Sequence, residues 1–180
     1  MTGSDEPKYE VWLSLGSNLE PEHHITGAVE DIGRFSIVDK IAPVYRTRPV
    51  EMEPDSPDVH NTCIKIQTDY EPGELKSKLQ ELEASHGRER TGPDKPDLHS
   101  SRTMDVDILL YRPMPPEFTP HEQVKSEAFV VFPLSEIVDS TWIDEIPDST
   151  SEWKAQTDKS IILERLVYDW PDDLSGELTV

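Results

Sequence analysis

The chain has 180 residues, 37 acidic side chains against 17 basic ones, a net charge of −20, 16 prolines and one cysteine. That length suits one domain, residues 1–180, with a core of its own. The charge argues against general binding to nucleic acid or anionic membranes, and no run approaches the ~18 apolar residues of a membrane span.

The polar, acidic start, Met1 to Glu10, is unlike a signal peptide. Lone Cys63 cannot close an internal disulfide and reads as a buried, inert thiol in the run Cys63-Ile64-Lys65-Ile66. A cytoplasmic protein is therefore expected. Its acid is spread out, as in Glu51-Met52-Glu53-Pro54-Asp55, which keeps a chain soluble and suits a salty cytoplasm.

In chain order, residues 1–8 read as frayed and Tyr9 to Leu15 alternates as a strand, ending at Gly16-Ser17-Asn18. Pro21 suits a first helical position, and Ile25, Ala28, Val29, Ile32 and Phe35 follow the spacing of one buried helix face. Asn18 reads either as a cap for this helix region or as a functional residue. A strand is expected over Ile37 to Tyr45. A semi-rigid loop from Thr47 to Asp58 follows, with Pro49, Pro54 and Pro57. A third strand is expected from Val59 through Asn61 to Gln67. The next helix carries Leu75, Leu79 and Leu82, with Pro72 at its start and Gly87 past its end.

A loop rich in Gly, Pro, Asp and Ser then leads from Arg88 and Arg90 to Arg102 and the strand Met104 to Tyr111. With period two, Met104, Val106, Ile108 and Leu110 share one face, and Asp105 and Asp107 share the other, their Cβ atoms about 6–7 Å apart. Paired carboxylates repel and form strands poorly, so a partner is needed. Mg²⁺ serves, since it takes one or two carboxylates plus water and phosphate oxygens. Arginines at 88, 90 and 102 then suit phosphates. A plain edge strand with aspartates facing water is the competing reading.

Beyond Tyr111 lies the proline-rich connector Arg112 to Pro116. Phe129 to Leu134 reads as a short buried strand leading into a helical turn, and Ile161 to Val167 suggests one more element before a frayed 171–180. Trp12 and Trp153 read as packing or surface residues. His23, His24, His60 and His86 read as solvated or locally bonded, because no paired spacing suggests a transition-metal site. The order strand–helix–strand–strand–helix–strand gives an α+β, ferredoxin-like (split βαβ) fold with extra C-terminal elements.

Several segments match one family in the right order. They are Leu15-Gly16-Ser17-Asn18-Leu19, Val44-Tyr45-Arg46-Thr47, Asn61, Glu83 with Gly87-Arg88, Arg102-Thr103-Met104-Asp105-Val106-Asp107-Ile108-Leu109, Pro120-His121 and Ala128 to Leu134. From about Tyr9 to Ile137 the chain resembles the 6-hydroxymethyl-7,8-dihydropterin pyrophosphokinases of folate biosynthesis. The resemblance implies transfer of pyrophosphate from ATP to the pterin hydroxymethyl group by a monomer. It also implies two Mg²⁺ ions on Asp105 and Asp107, with Arg88 and Arg102 on the phosphates. Arg90, His121 and Gln80 would also contact ATP. Asn61 and the backbone around Thr47 and Val50 would read the pterin edge, with Phe129 stacking on the ring. The Thr47–Asp58 loop would close as a lid.

The chain departs from the family pattern at several positions. Val59 stands where an aromatic usually faces Phe129, and the loop before Arg102 offers Leu98 and His99 in place of a second aromatic. Glu127 stands where an arginine is usual, with Lys125 two residues earlier as a substitute if that segment is extended. Gln123 replaces a basic residue. A nucleotide- or pterin-binding relative without turnover and a carboxylate–Mg²⁺ phosphohydrolase therefore stay open beside the enzyme.

Overall fold

The computed structural model describes residues 7–88, 102–139, 149–171, 174 and 177–178. Its central strand is β1 (Tyr9–Ser17), flanked antiparallel by β4 (Val59–Thr68) and β5 (Asp105–Arg112). Outside β4 runs β2 (Ile37–Ile41), also antiparallel, and β3 (Val44–Thr47) pairs with the other half of β4. The order β5-β1-β4-β2 with two helical crossovers is the expected ferredoxin-like plan.

Each strand sorts its side chains by period two. From β1, Val11, Leu13 and Leu15 are sealed, with Ile64 and Ile66 of β4, beneath α1 (Pro21–Gly33) and α2 (Pro72–Ser85). The helices contribute Ile25, Ala28, Val29, Ile32, Leu75 and Leu79, the stripes expected from the sequence. A capping box between Glu71 and Glu74 starts α2 and satisfies two of its first N–H groups. On the opposite sheet face, Trp12 and Cys63 pack under α4 (Ala128–Leu134), preceded by α3 (Gln123–Ser126), and beside Trp153 of α5 (Thr150–Ala155). Both tryptophans are core residues, and burial raises the Cys63 thiol pKa well above its usual range.

The structure corrects several expectations. The strand over Ile37 to Tyr45 is two strands, β2 and β3, separated at Ala42-Pro43, because Pro43 lacks the N–H a continuous ladder needs. Phe129 to Leu134 is helical: Val130, Val131 and Leu134 recur at helical spacing and bury one face on the sheet, overriding the strand preference of Val and Phe. Because α3 is helical too, Lys125 and Glu127 do not share a face by strand alternation.

Another lies in β5, whose register against β1 slips between Trp12, opposite Leu110, and Leu13, opposite Ile108. Leu109 is the extra residue of a bulge, and the side-chain alternation inverts there. Met104, Val106 and Ile108 therefore face the helices as expected, but Leu110 joins Leu109 on the opposite face and Tyr111 turns back to the helices.

The C-terminal segment completes the sheet. A 3-10 turn at Lys159–Ile161 leads into β6 (Ile162–Leu166), antiparallel to β3, and β7 (Glu177–Leu178) runs parallel to β2 where a frayed end was expected. Trp153 is fully buried and its indole N–H donates to the Val124 carbonyl at 2.9 Å. Trp153→Ala should cost about 3–5 kcal/mol in urea unfolding. A loss below ~1 kcal/mol would mean that α5 is not part of the cooperative core.

Candidate active site

A cavity of about 510 Å³ opens on the sheet face that Trp12 occupies, away from α1 and α2. Its floor is Ser14 and Gly16 of β1, which lie directly across the ladder from Asp107 and Asp105. Small residues opposite the two carboxylates leave room above them. On its other edge Gly16 pairs with Asn61, so one row across three strands reads Asp105, Gly16, Asn61. With strands about 4.8 Å apart, the two ends of that row are about 10 Å apart.

At the acidic end, Asp105 accepts hydrogen bonds from both Arg88 and Arg102. Arg88 is anchored in turn by Glu83 at 2.5 Å, a carboxylate 2% exposed that also accepts from the Val106 N–H at 2.8 Å. Glu83 therefore ties the end of α2 to β5 and aims Arg88. Asn18 does the equivalent for Arg102. Its Oδ1 accepts the Arg102 backbone N–H at 2.7 Å, and its own N–H donates to the Arg102 carbonyl at 3.1 Å. Asn18 is thus no helix cap; α1 starts from Glu20 without a side-chain cap bond.

Asp107 is less well served. Burial, then the neighbouring charge of Asp105, pushes its carboxyl above the ordinary range, with His121 opposing. A carboxylate pair of which one member is costly to ionise suits a cation. Among the described residues no third acidic, His or Cys side chain joins them. Mg²⁺ does not need one, since water and phosphate oxygens fill its other positions.

At the other end, Asn61 donates from Nδ2 to Thr47 Oγ1 at 2.9 Å, and Thr47, Val50, Val59 and Phe129 line the wall. A Cβ at Gly16 would stand 3.1 Å from Asn61 Oδ1, so the glycine leaves the amide its place. Of the residues named from sequence, Thr47, Val50, Asn61, Arg88, Arg102, Asp105, Asp107, His121 and Phe129 all line this cavity. Gln80 lies on α2 and is not among the lining residues, while Arg90, Leu98 and His99 lie outside the described residues. Glu127 and Gln123 line it and Lys125 does not. Sequence reasoning missed Ser14 and the positioning role of Glu83; strand pairing with the D-x-D strand was the signal for the first.

A family model described as 7,8-dihydro-6-hydroxymethylpterin-pyrophosphokinase (HPPK) matches residues 12–139. The chain belongs to that family. It is 33% identical over 135 residues to the 2-amino-4-hydroxy-6-hydroxymethyldihydropteridine pyrophosphokinase of Pseudomonas aeruginosa, covering 71% of this chain and 79% of that protein. It is 32% identical over 134 residues to the same-named protein of Haemophilus influenzae, covering 71% and 80%. A third relative is the bifunctional protein FolKE of Lactococcus lactis, 30% identical over 139 residues; the match covers 72% of this chain but 37% of that longer protein. The family match spans both ends of the cavity, from β1 to the residues after α4.

Because folding raises the Asp107 pKa, ionised Asp107 costs stability. The cost is absent below the unfolded carboxyl range, grows as pH rises, and is complete above the folded pKa. Asp107→Asn should therefore raise the melting temperature of the ligand-free, metal-free protein at neutral pH, with the gain shrinking as pH falls through the carboxylate range. Calorimetry between about pH 4 and pH 8 checks it. An unchanged or lowered melting temperature at neutral pH would show that Asp107 is not held at a cost.

Proposed function

We propose that this protein transfers pyrophosphate from ATP to the hydroxymethyl oxygen of 6-hydroxymethyl-7,8-dihydropterin and releases AMP, as one unit spanning residues 1–180, monomeric and cytoplasmic. The observation that carries the reading is the row Asp105, Gly16, Asn61, which joins a phosphate-and-cation end to an amide-reading end across one cavity. The spacing of about 10 Å suits a flat bicyclic ring lying over Gly16 with its hydroxymethyl arm toward Asp105.

In this reading Asn61 and the backbone at Thr47 and Val50 hydrogen-bond the amide and amino edge of the pterin, and Phe129 covers the ring. Val59, not an aromatic, covers the other side. Arg88 and Arg102, already aimed by Glu83 and Asn18, turn from Asp105 to the triphosphate and stabilise charge as the β-phosphorus is attacked. His121 adds a contact to ATP from the cavity wall; we assign Arg90 and Gln80 secondary roles in the same binding. Asp105 and Asp107 would hold two Mg²⁺ ions, which when bound neutralise and orient the phosphates. One bond forms from the hydroxymethyl oxygen to the β-phosphorus, one breaks between the α–β bridging oxygen and that phosphorus, and the hydroxyl proton passes to solvent. The chain's contribution is positioning and electrostatics, so no nucleophilic side chain is required.

Glu127 at the start of α4 lines the same cavity and favours one second reading, a relative that binds ATP and pterin without turnover. The two separate in one assay. AMP release from ATP and Mg²⁺ should depend on the pterin, and Asp105→Asn and Asp107→Asn should each lower it by at least ~10²-fold, several kcal/mol of transition-state stabilisation. Binding of both ligands with no AMP would replace the enzyme by the binding relative. Nucleotide consumption without pterin would replace it by a phosphohydrolase.

A further inference from the structure

His24 and His86 lie 62 residues apart in sequence, yet the fold brings their Nδ1 atoms face to face at 3.2 Å. His24 sits in the first turn of α1 and His86 is the residue that ends α2. On its far side, His86 Nε2 is 3.1 Å from Asp31 Oδ2 of α1. The His86 ring is seated over Gly27, where a Cβ would stand 3.1 Å from its Cε1 atom. Nothing in the proposed pyrophosphoryl transfer uses this group.

We propose that His24 and His86 bind one divalent transition-metal cation through their two Nδ1 atoms, with water completing its shell. Zn–N bonds of about 2.0–2.1 Å at a tetrahedral angle separate two nitrogens by about 3.3–3.4 Å, so the two atoms stand almost at the bridging distance. Asp31 supplies the second observation. By accepting the Nε2–H it fixes the tautomer of His86 that turns the Nδ1 lone pair toward His24, the carboxylate–histidine arrangement that orients metal-bound imidazoles. His24 needs only to carry its single proton on Nε2, so neutral imidazoles bind without net proton release. His23 packs edge-on against His24, and Arg34 pairs with Asp31.

Two imidazoles select Zn²⁺, Co²⁺, Ni²⁺ or Cu²⁺ over Mg²⁺, which prefers the oxygen donors of Asp105 and Asp107. The ion would staple the start of α1 to the end of α2, two residues before Arg88. The competing geometry is a direct N–H···N bond between neutral rings.

The test uses the full chain in excess Mg²⁺, titrated with Zn²⁺ by calorimetry and with Co²⁺ by visible absorption. One Zn²⁺ per chain should bind and raise the melting temperature, and Co²⁺ should show the intense bands of tetrahedral coordination, displaced by Zn²⁺. His24→Ala should weaken Zn²⁺ binding at least ~10-fold, and Asp31→Asn about 10–100-fold. His24→Ala should leave pterin-dependent AMP release with Mg²⁺ alone unchanged, which separates failure of this site from failure of the proposed reaction. Equal Zn²⁺ affinity in wild type and His24→Ala, or a purely octahedral Co²⁺ spectrum, would overturn the site and leave the hydrogen-bonded pair.

Discussion

Two like charges on one face of one strand, Asp105 and Asp107, set the terms for much of the surrounding structure. Left alone they would repel each other and weaken β5. Arg88 and Arg102 answer Asp105, but guanidiniums at the ends of loops are useful only if they are held. That is why a 2%-exposed Glu83 is tolerated in α2: its oxygen is shared between Arg88 and the backbone of β5. Asn18 spends both its side chain and its backbone on Arg102. Asp107 stays costly to ionise, a cost that the cation proposed for this pair would offset.

The bulge at Leu109 makes this arrangement compatible with a core. Before it, Val106 and Ile108 bury under the helices while the aspartates face the cavity; after it, Leu109 and Leu110 both cover the opposite face, beneath α4 and α5. A regular strand would have sent Leu110 to the helices and Tyr111 away from them. Period-two reading sees the aspartate pair but not the bulge, because β-branched and aliphatic residues on both sides of it look alike. The same limit explains α4. Phe129 to Leu134 fits a buried strand by composition, and only the sheet face it packs against decides for a helix. By contrast, α1 and α2 were legible because long 3.6-period stripes have few competing readings. That Arg102, Asp105 and Asp107 share one cavity was legible for another reason: they are close in sequence. Glu83, Asn18 and the His24–His86 pair act across 23, 84 and 62 residues, and spacing alone carries no signal at that range.

The end of the cavity proposed to hold the pterin depends on chain beyond the family match. Thr47 ends β3, a strand that would be an exposed edge without β6. Instead β6 pairs along it, and the Arg48 N–H continues the contact by donating to the Ile161 carbonyl at 2.8 Å. Arg46 crosses from β3 to Glu164 of β6 at 3.1 Å and to Asp58, at the far end of the Pro-rich loop, at 2.9 Å. Exposed ion pairs of this kind contribute little to stability. Their geometry matters more, because both ends of the loop that carries Val50 are referred to one arginine. Residues matched by the family supply the groups proposed to touch substrate, and the C-terminal segment supplies the rigid edge against which one wall of the cavity is set.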